Sequence, residues 1–226
     1  MRAERLPDRS GFLWFWALVL PVFFLITASS AAHASVTAAQ VETLWGKVVE
    51  AANMDSLPLE IKEDKSPNAW VTAGKSVTVT TGLMKLLHGE DEMFGVLAHE
   101  AGHAKLGHYQ KRVGNSVGIG LLATILGKKV GGGIGGAAVN AGANLATAGF
   151  SREQEVAADD FAVDLAFKAG VAPAGLHSAL ERISLMGGKT EPSGFNSHPP
   201  DERRLRHIRE RIHARDADAV IPKIEK

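Results

Sequence analysis

The chain has 226 residues, with 25 Lys and Arg against 25 Asp and Glu, and no cysteine. Such a charge balance lacks the basic footprint of a polyanion binder, so nucleic acid is not an expected partner. Without cysteine there are neither disulfide staples nor a lipid-modified cysteine anchor, and stability has to come from packing.

Arg2, Arg5 and Arg9 precede an uncharged run from Phe12 to Ile26, after which Ala32-His33-Ala34 offers an A-x-A cleavage site. This pattern predicts a secretory signal peptide over 1–34 and a mature chain of 35–226, long enough for a single domain. Export by such a signal points to the periplasm. The alternative is an uncleaved inner-membrane anchor, with Trp14 and Trp16 at the interface.

Thr37 to Met54 has the spacing of an amphipathic helix, with Val41, Leu44, Trp45, Val48 and Val49 on one side. Three short strands are predicted next, at Leu57 to Ile61, Ala69 to Ala73 and Val77 to Thr80, with Gly74-Lys75 joining the last two as a hairpin. The expected sheet is small and antiparallel, with Val77 to Thr80 at its edge. An extended substrate would pair with that edge by its backbone, unless another part of the chain covers it.

Gly82 to His88 starts a short helix, and Asp91 is placed to cap the next one, DEMFGVLAHEAGHAKLGH, from Asp91 to His108. Within it, His99-Glu100-Ala101-Gly102-His103 is an HExxH motif. Two histidines four apart lie about 40° apart around a helix, so both rings reach one ion. Zinc takes imidazole nitrogen at about 2.0–2.1 Å, and its catalytic sites use three protein ligands, leaving the fourth position for water. Glu100 would face that water as general base. Met93, Phe94, Val96, Leu97 and Ala101 make the same helix a buried one, and a metal explains why it buries His, Glu and His. His108, about 140° around from His103, falls off the zinc face if the helix continues.

From Val113 to Phe150 only Lys128 and Lys129 are charged, and Gly and Ala dominate. This predicts a helical hairpin insertion at 113–150, whose small-xxx-small spacing suits tight protein packing or peripheral membrane contact. Gly131-Gly133-Gly136 lacks the preceding strand of a dinucleotide site, and Gly127-Lys128-Lys129 lacks the rest of a P-loop.

Ser151 is a plausible N-cap for a helix running to about Ala169. On it, Glu155 offers the third carboxylate ligand that a zinc site needs, and Asp159, one turn on, is placed to hold a ligand imidazole by its second nitrogen. A solvated acidic helix start is the other interpretation, and the better one for Glu153 and Asp160.

These motifs together resemble the family of HtpX-like and BepA-like zinc metalloendopeptidases, which includes the CAAX prenyl endopeptidases. The resemblance runs from about Asn68 to Arg204. It rests on Asn68-Ala69-Trp70, Val79-Thr80-Thr81-Gly82-Leu83, Glu90-Asp91-Glu92, the HExxH helix, Ser151-Arg152 with Glu155 and Ala158-Asp159, and His198-Pro199 with Arg204. It implies a mainly helical α+β, gluzincin-like fold, one zinc per chain held by His99, His103 and Glu155, Glu100 as catalytic base and acid, and Asp159 as second-layer support. Arg204 belongs to the late motif. Membrane members of the family have spanning helices where this chain has 113–150, which points to the small exported type.

Pro173 to Met186 and Pro200 to Arg215 complete the helices. In the last of these, Leu205, Ile208 and Ile212 form an inner face among arginines and acids, the pattern of a solvated amphipathic helix. His88, His177, His207 and His213 are expected at the surface or boundary. The stretch Ser193 to Pro200 is long enough to move and ends at a helix start. His198 is therefore a candidate for the site, either as an oxyanion donor or as a displaceable fourth ligand, unless it is only a turn residue. The expected function is hydrolysis of peptide bonds in unfolded or misassembled envelope proteins. The rival is a chaperone-like assembly factor with a structural or latent zinc.

Overall fold

The computed structural model describes residues 35–72, 74–111, 114, 149–186, 198 and 200–224, all within one unit, His33–Lys226. The predicted signal segment 1–34, nearly all of the 113–150 insertion and the 193–197 loop lie outside the described residues.

Helix α1 (Ala38–Ala52) starts where Thr37 and Gln40 form a capping box, and ends on Asn53 in the left-handed region. Val41, Leu44, Trp45 and Val48 form its buried stripe, and the Trp45 indole donates to Leu57 O at 2.9 Å. Strands β1 (Leu59–Lys62), β2 (Ala69–Thr72) and β3 (Ser76–Thr80) follow, then α2 (Thr81–Leu86), α3 (Glu90–Lys105), α4 (Arg152–Ala169), α5 (Gly175–Met186) and α6 (Glu202–Arg215). Among the described residues, no helix is long and apolar enough to cross a membrane.

The sheet corrects the expected topology. Its order is β1-β3-β2, with β2 antiparallel to β3 but β1 parallel to it. The Gly74-Lys75 hairpin forms as expected, with Gly74 at φ 70° and Lys75 N–H donating to Thr72 O. It places β3 between the other two strands, so Val77 to Thr80 is the centre of the sheet and not an edge. A central strand is paired along both edges, and Val77, Thr78, Val79 and Thr80 are also buried. β3 therefore has no free backbone for a substrate; among the described residues, β1 and β2 form the edges.

Thr80 explains the short motif that follows. Its hydroxyl accepts from Asn68 N–H and from Leu83 N–H, which fastens β3 to the preceding loop and caps α2. α3 then begins from Gly89 at φ 132°, so Asp91 lies inside the first turn and is not the cap. Its negative charge still favours that end of the helix dipole.

α3 is the central element, packed against α1, α4, α5 and β2. Met93, Phe94, Val96, Leu97, Ala98 and Ala101 have no solvent exposure. Each large apolar side chain buried there contributes about 1.5–3 kcal/mol. The helices meet backbone to backbone: a Cβ on Gly95 would overlap Leu176, and one on Gly175 would overlap Asp91. The same crowding recurs at the motif glycine, where a methyl on Gly102 would lie 3.2 Å from Ala158 Cα. That close approach brings α4, with its acidic residues, against the HExxH face.

α6 is fastened to α4 by a ladder of charged contacts. Its arginines Arg211 and Arg215 both donate to Asp164, and the His207 ring lies 2.8 Å from Asp160. Asp160, 33% exposed, is therefore paired as well as solvated. Leu205, Ile208 and Ile212 face inward as the spacing predicts.

His177 differs from its expected boundary position, being 3% exposed. Burial, then the Arg209 charge, lowers it to about 4, with Glu202 opposing. Glu181 on its own helix and Arg209, His213 and Lys223 from the chain packed against it are the other ionisable groups around it. The unfolded ring takes its proton near 6.5, so the stability of this neutral burial is present above that pH and lost as pH falls toward 4. Between about pH 7 and about pH 4.5, His177→Leu is expected to lose roughly 1–2 kcal/mol less stability than the parent, after discounting for solvent screening. Urea unfolding at the two pH values checks this, and parallel losses would count against it.

Candidate metal centre

His99 and His103 are successive turns of the same buried face of α3, and their Nε2 atoms converge to 3.0 Å. α4 supplies Glu155, whose carboxylate oxygens lie 3.5 Å from His99 Nε2 and 3.5 Å from His103 Nε2. His198 joins them, with Nδ1 at 3.3 Å from His99 Nε2 and 2.9 Å from Glu155 Oε1. One donor atom from each of these four buried residues lies within 4.8 Å of all the others.

The spacing tests whether an ion fits. A tetrahedral ion with bonds of about 2.0–2.1 Å keeps its donors about 3.3–3.4 Å apart, close to the separations above. Two imidazole edges facing each other beside a carboxylate, all out of water, are costly without a cation between them. The electrostatics agree. Glu155 is held well below the usual carboxylate range; burial works against this, but the His198 and His99 rings outweigh it. Burial pulls His99 down, yet Asp159 and Glu155 raise it to about 9. Burial and the neighbouring His99 charge push His103 down. A ring that holds a proton among these carboxylates must give it up to a metal, so metal binding releases protons.

The second layer is as ordered as the first. His99 Nδ1 lies 3.0 Å from Asp159 Oδ1, which aims its other nitrogen at the cluster. Arg204 grips Asp159 with two N–H groups, at 2.9 and 2.7 Å, forms an ion pair with Glu155 Oε2 at 2.8 Å, and donates to His198 O at 3.1 Å. One guanidinium therefore touches the third ligand, the support of the first ligand and the backbone of His198.

Glu100 is fully buried beside this cluster, with His198 Nε2 3.5 Å from Oε1. Neither oxygen makes a well-formed hydrogen bond to another described residue, and the Val71 amide offers only a weak contact. Burial raises its pKa, with His198 and His99 opposing. A carboxyl poised above its ordinary range, with oxygens uncommitted to structure, is suited to taking and returning a proton.

A family model described as Peptidase family M48 matches residues 35–212. The chain belongs to family M48.

Two M48 relatives come from Escherichia coli. Metalloprotease LoiP is 34% identical over 169 residues, which cover 72% of this chain and 66% of the relative. Metalloprotease YcaL is 36% identical over 173 residues, covering 71% of this chain and 65% of its own length. Mitochondrial metalloendopeptidase OMA1 of Schizosaccharomyces pombe is 27% identical over 180 residues, covering 77% of this chain and 52% of its own. The chain spans slightly under two-thirds of the two bacterial relatives.

The structure places every site residue expected from sequence, His99, Glu100, His103, Glu155, Asp159, His198 and Arg204, in or against this one cluster. Two of its residues were not foreseen. Phe150 stacks on His103 with ring centroids 3.9 Å apart, and its place just before the Ser151 cap, where an apolar residue often packs back onto its helix, was a usable signal. His108 is the other. α3 ends at Lys105, Gly107 takes φ 66°, and His108 turns back to place Nδ1 2.9 Å from His103 Nδ1. The helix does not continue, so the angular argument that removed His108 does not apply. Gly107, in the common position for a helix stop, was its warning.

Proposed function

We propose that the chain is a zinc-dependent metalloendopeptidase that hydrolyses peptide bonds in unfolded polypeptides. The observation that carries this is the uncommitted, buried Glu100 carboxylate beside a cluster of two imidazoles and a carboxylate. A site built only to brace the fold would have no use for that carboxylate, which argues against the chaperone-like alternative. The donor set of nitrogen and carboxylate oxygen suits zinc. When bound, zinc supplies Lewis acidity, which acidifies water and polarises the carbonyl of the scissile bond. Glu100 takes the proton from the attacking water and passes it to the departing amine. Asp159 and Arg204 hold the ligands while this proton moves.

His198 would serve as a displaceable fourth ligand that closes the site at rest. Its Nδ1 lies among the other donor atoms, 3.3 Å from His99 Nε2 and 2.9 Å from Glu155 Oε1. His198→Ala is therefore expected to raise kcat/KM, on the order of tenfold if the site is about nine-tenths closed. A fall in kcat at unchanged zinc content would overturn closure and assign His198 to the oxyanion instead.

The N-terminal pattern supports export to the periplasm, with a signal over 1–34, and removal of damaged envelope proteins as the biological role. Because the catalytic groups are buried, a flexible extended chain reaches them more readily than a folded surface does. Digestion of reduced, unfolded casein-type protein against a folded control tests this, with metal removed by a chelator and zinc restored. Cleavage of the unfolded substrate is expected, abolished by the chelator and recovered with about one equivalent of zinc. Zinc binding with no cleavage of either substrate would favour the chaperone-like alternative.

A further inference from the structure

Each metal-facing histidine of α3 has an outer nitrogen, and the two are held differently. His99 Nδ1 meets the carboxylate of Asp159. His103 Nδ1 meets another imidazole, that of His108, which is 3% exposed and 2.9 Å away, Nδ1 to Nδ1. A hydrogen bond between two ring nitrogens needs one N–H and one lone pair. If His103 presents its Nε2 lone pair to an ion, its proton is on Nδ1, and His108 Nδ1 must be the acceptor.

We propose that His108 is a positioning residue for the metal ligand His103: it accepts the hydrogen bond from His103 Nδ1–H and so fixes the tautomer and aim of that ring. The inference rests on the metal-site reading above and adds a residue to it. The fold is built to deliver His108 there. The left-handed turn at Gly107 reverses the chain after α3, and Lys111 N–H bonds to Gly107 O to start the next turn. The backbone of His108 is tied as well, because Gln154 Nε2 donates to His108 O at 3.0 Å. Gln154 is the residue before the ligand Glu155, and its other side-chain atom, Oε1, accepts from Ser151 N–H to complete the α4 cap. The His108 side chain thus aims the second ligand, while its carbonyl anchors the helix end that carries the third.

The test compares His108→Ala with His108→Asn, since an Asn side-chain oxygen can occupy about the place of Nδ1 and accept the same hydrogen bond. Zinc affinity is measured by chelator competition, the cobalt-substituted protein by its visible absorption, and the His103 tautomer by nitrogen-15 NMR of the metal-free protein. His108→Ala is expected to weaken zinc binding about 10–100-fold and to alter the cobalt spectrum, while His108→Asn stays within a few-fold of the parent. Affinity in His108→Ala within about twofold of the parent overturns the proposal, as does His108→Asn failing equally, which would mean that only imidazole packing matters. A parent chain that binds zinc without hydrolysing peptides would sink the peptidase reading but leave this comparison decisive. A parent chain that binds no ion would remove both.

Discussion

Glu100→Gln is expected to lower kcat on an unfolded polypeptide by about 10²–10⁴-fold, the usual contribution of a positioned general base. The amide has nearly the size of the carboxylate and fills the same fully buried space, so folding should be unchanged. Glu100 is not among the four residues that bring donor atoms together, so zinc content should also be unchanged. What is lost is the ability to take a proton from water and return it to the amine. Casein-type digestion, zinc analysis and circular dichroism on the two proteins check the three statements together. Equal turnover would remove Glu100 from the chemistry, whereas loss of zinc in the variant would mean that Glu100 acts through the metal site instead.

Arg204→Ala is expected to have the largest effect on stability, about 3–5 kcal/mol, because it leaves buried charge without its partner. The guanidinium is 3% exposed and bonds to Asp159, Glu155 and the carbonyl of His198. Truncation removes these bonds and a packed stem at once. The pH dependence follows from Asp159. Burial raises its pKa, but hydrogen bonds from His99 and Arg204 outweigh this and depress it below its ordinary value. A depressed acid contributes stability above its unfolded pKa, lost as pH falls through the folded value. The deficit of the variant should therefore be full near neutrality and shrink in acid, as measured by denaturant unfolding of the metal-free proteins. A deficit below about 1 kcal/mol at neutral pH would show that the pair does not stabilise the fold. Arg204→Lys restores charge but not the two-pronged grip on Asp159, so only part of the loss should be recovered.

The residues differ in how legible they were. Ser151 was recognisable as a helix start because a cap is a local device, complete within three or four residues. His99, Glu100 and His103 were recognisable for the same reason: one helix turn sets their mutual geometry. Glu155 and Asp159 share a helix face four residues apart, but nothing local said which ring they would meet. Asp91 misled because an acid near a helix start satisfies the dipole as well as a cap does. His177 misled because α5 buries it against α6, a contact absent from its own neighbourhood.

What the sequence determined alone is the content of single elements: the Ser151 cap, the apolar stripes, the HExxH spacing and the Gly74-Lys75 hairpin. These follow from interactions over a few residues, and their periods are fixed by backbone geometry. The tertiary structure decided everything that depends on which elements become neighbours. It put β3 between β1 and β2, although β1 and β2 are consecutive in the chain, and so turned an expected edge into a buried centre. It seated α4 against Gly102, bringing Glu155 to the two histidines, and it returned His108 to His103 after a break of two residues. Arg204, distant in sequence from Glu155 and Asp159, became their shared partner because α6 packs along α4. Burial is the physical reason: a charge or imidazole taken out of water must find its partner in whatever element packing has brought alongside.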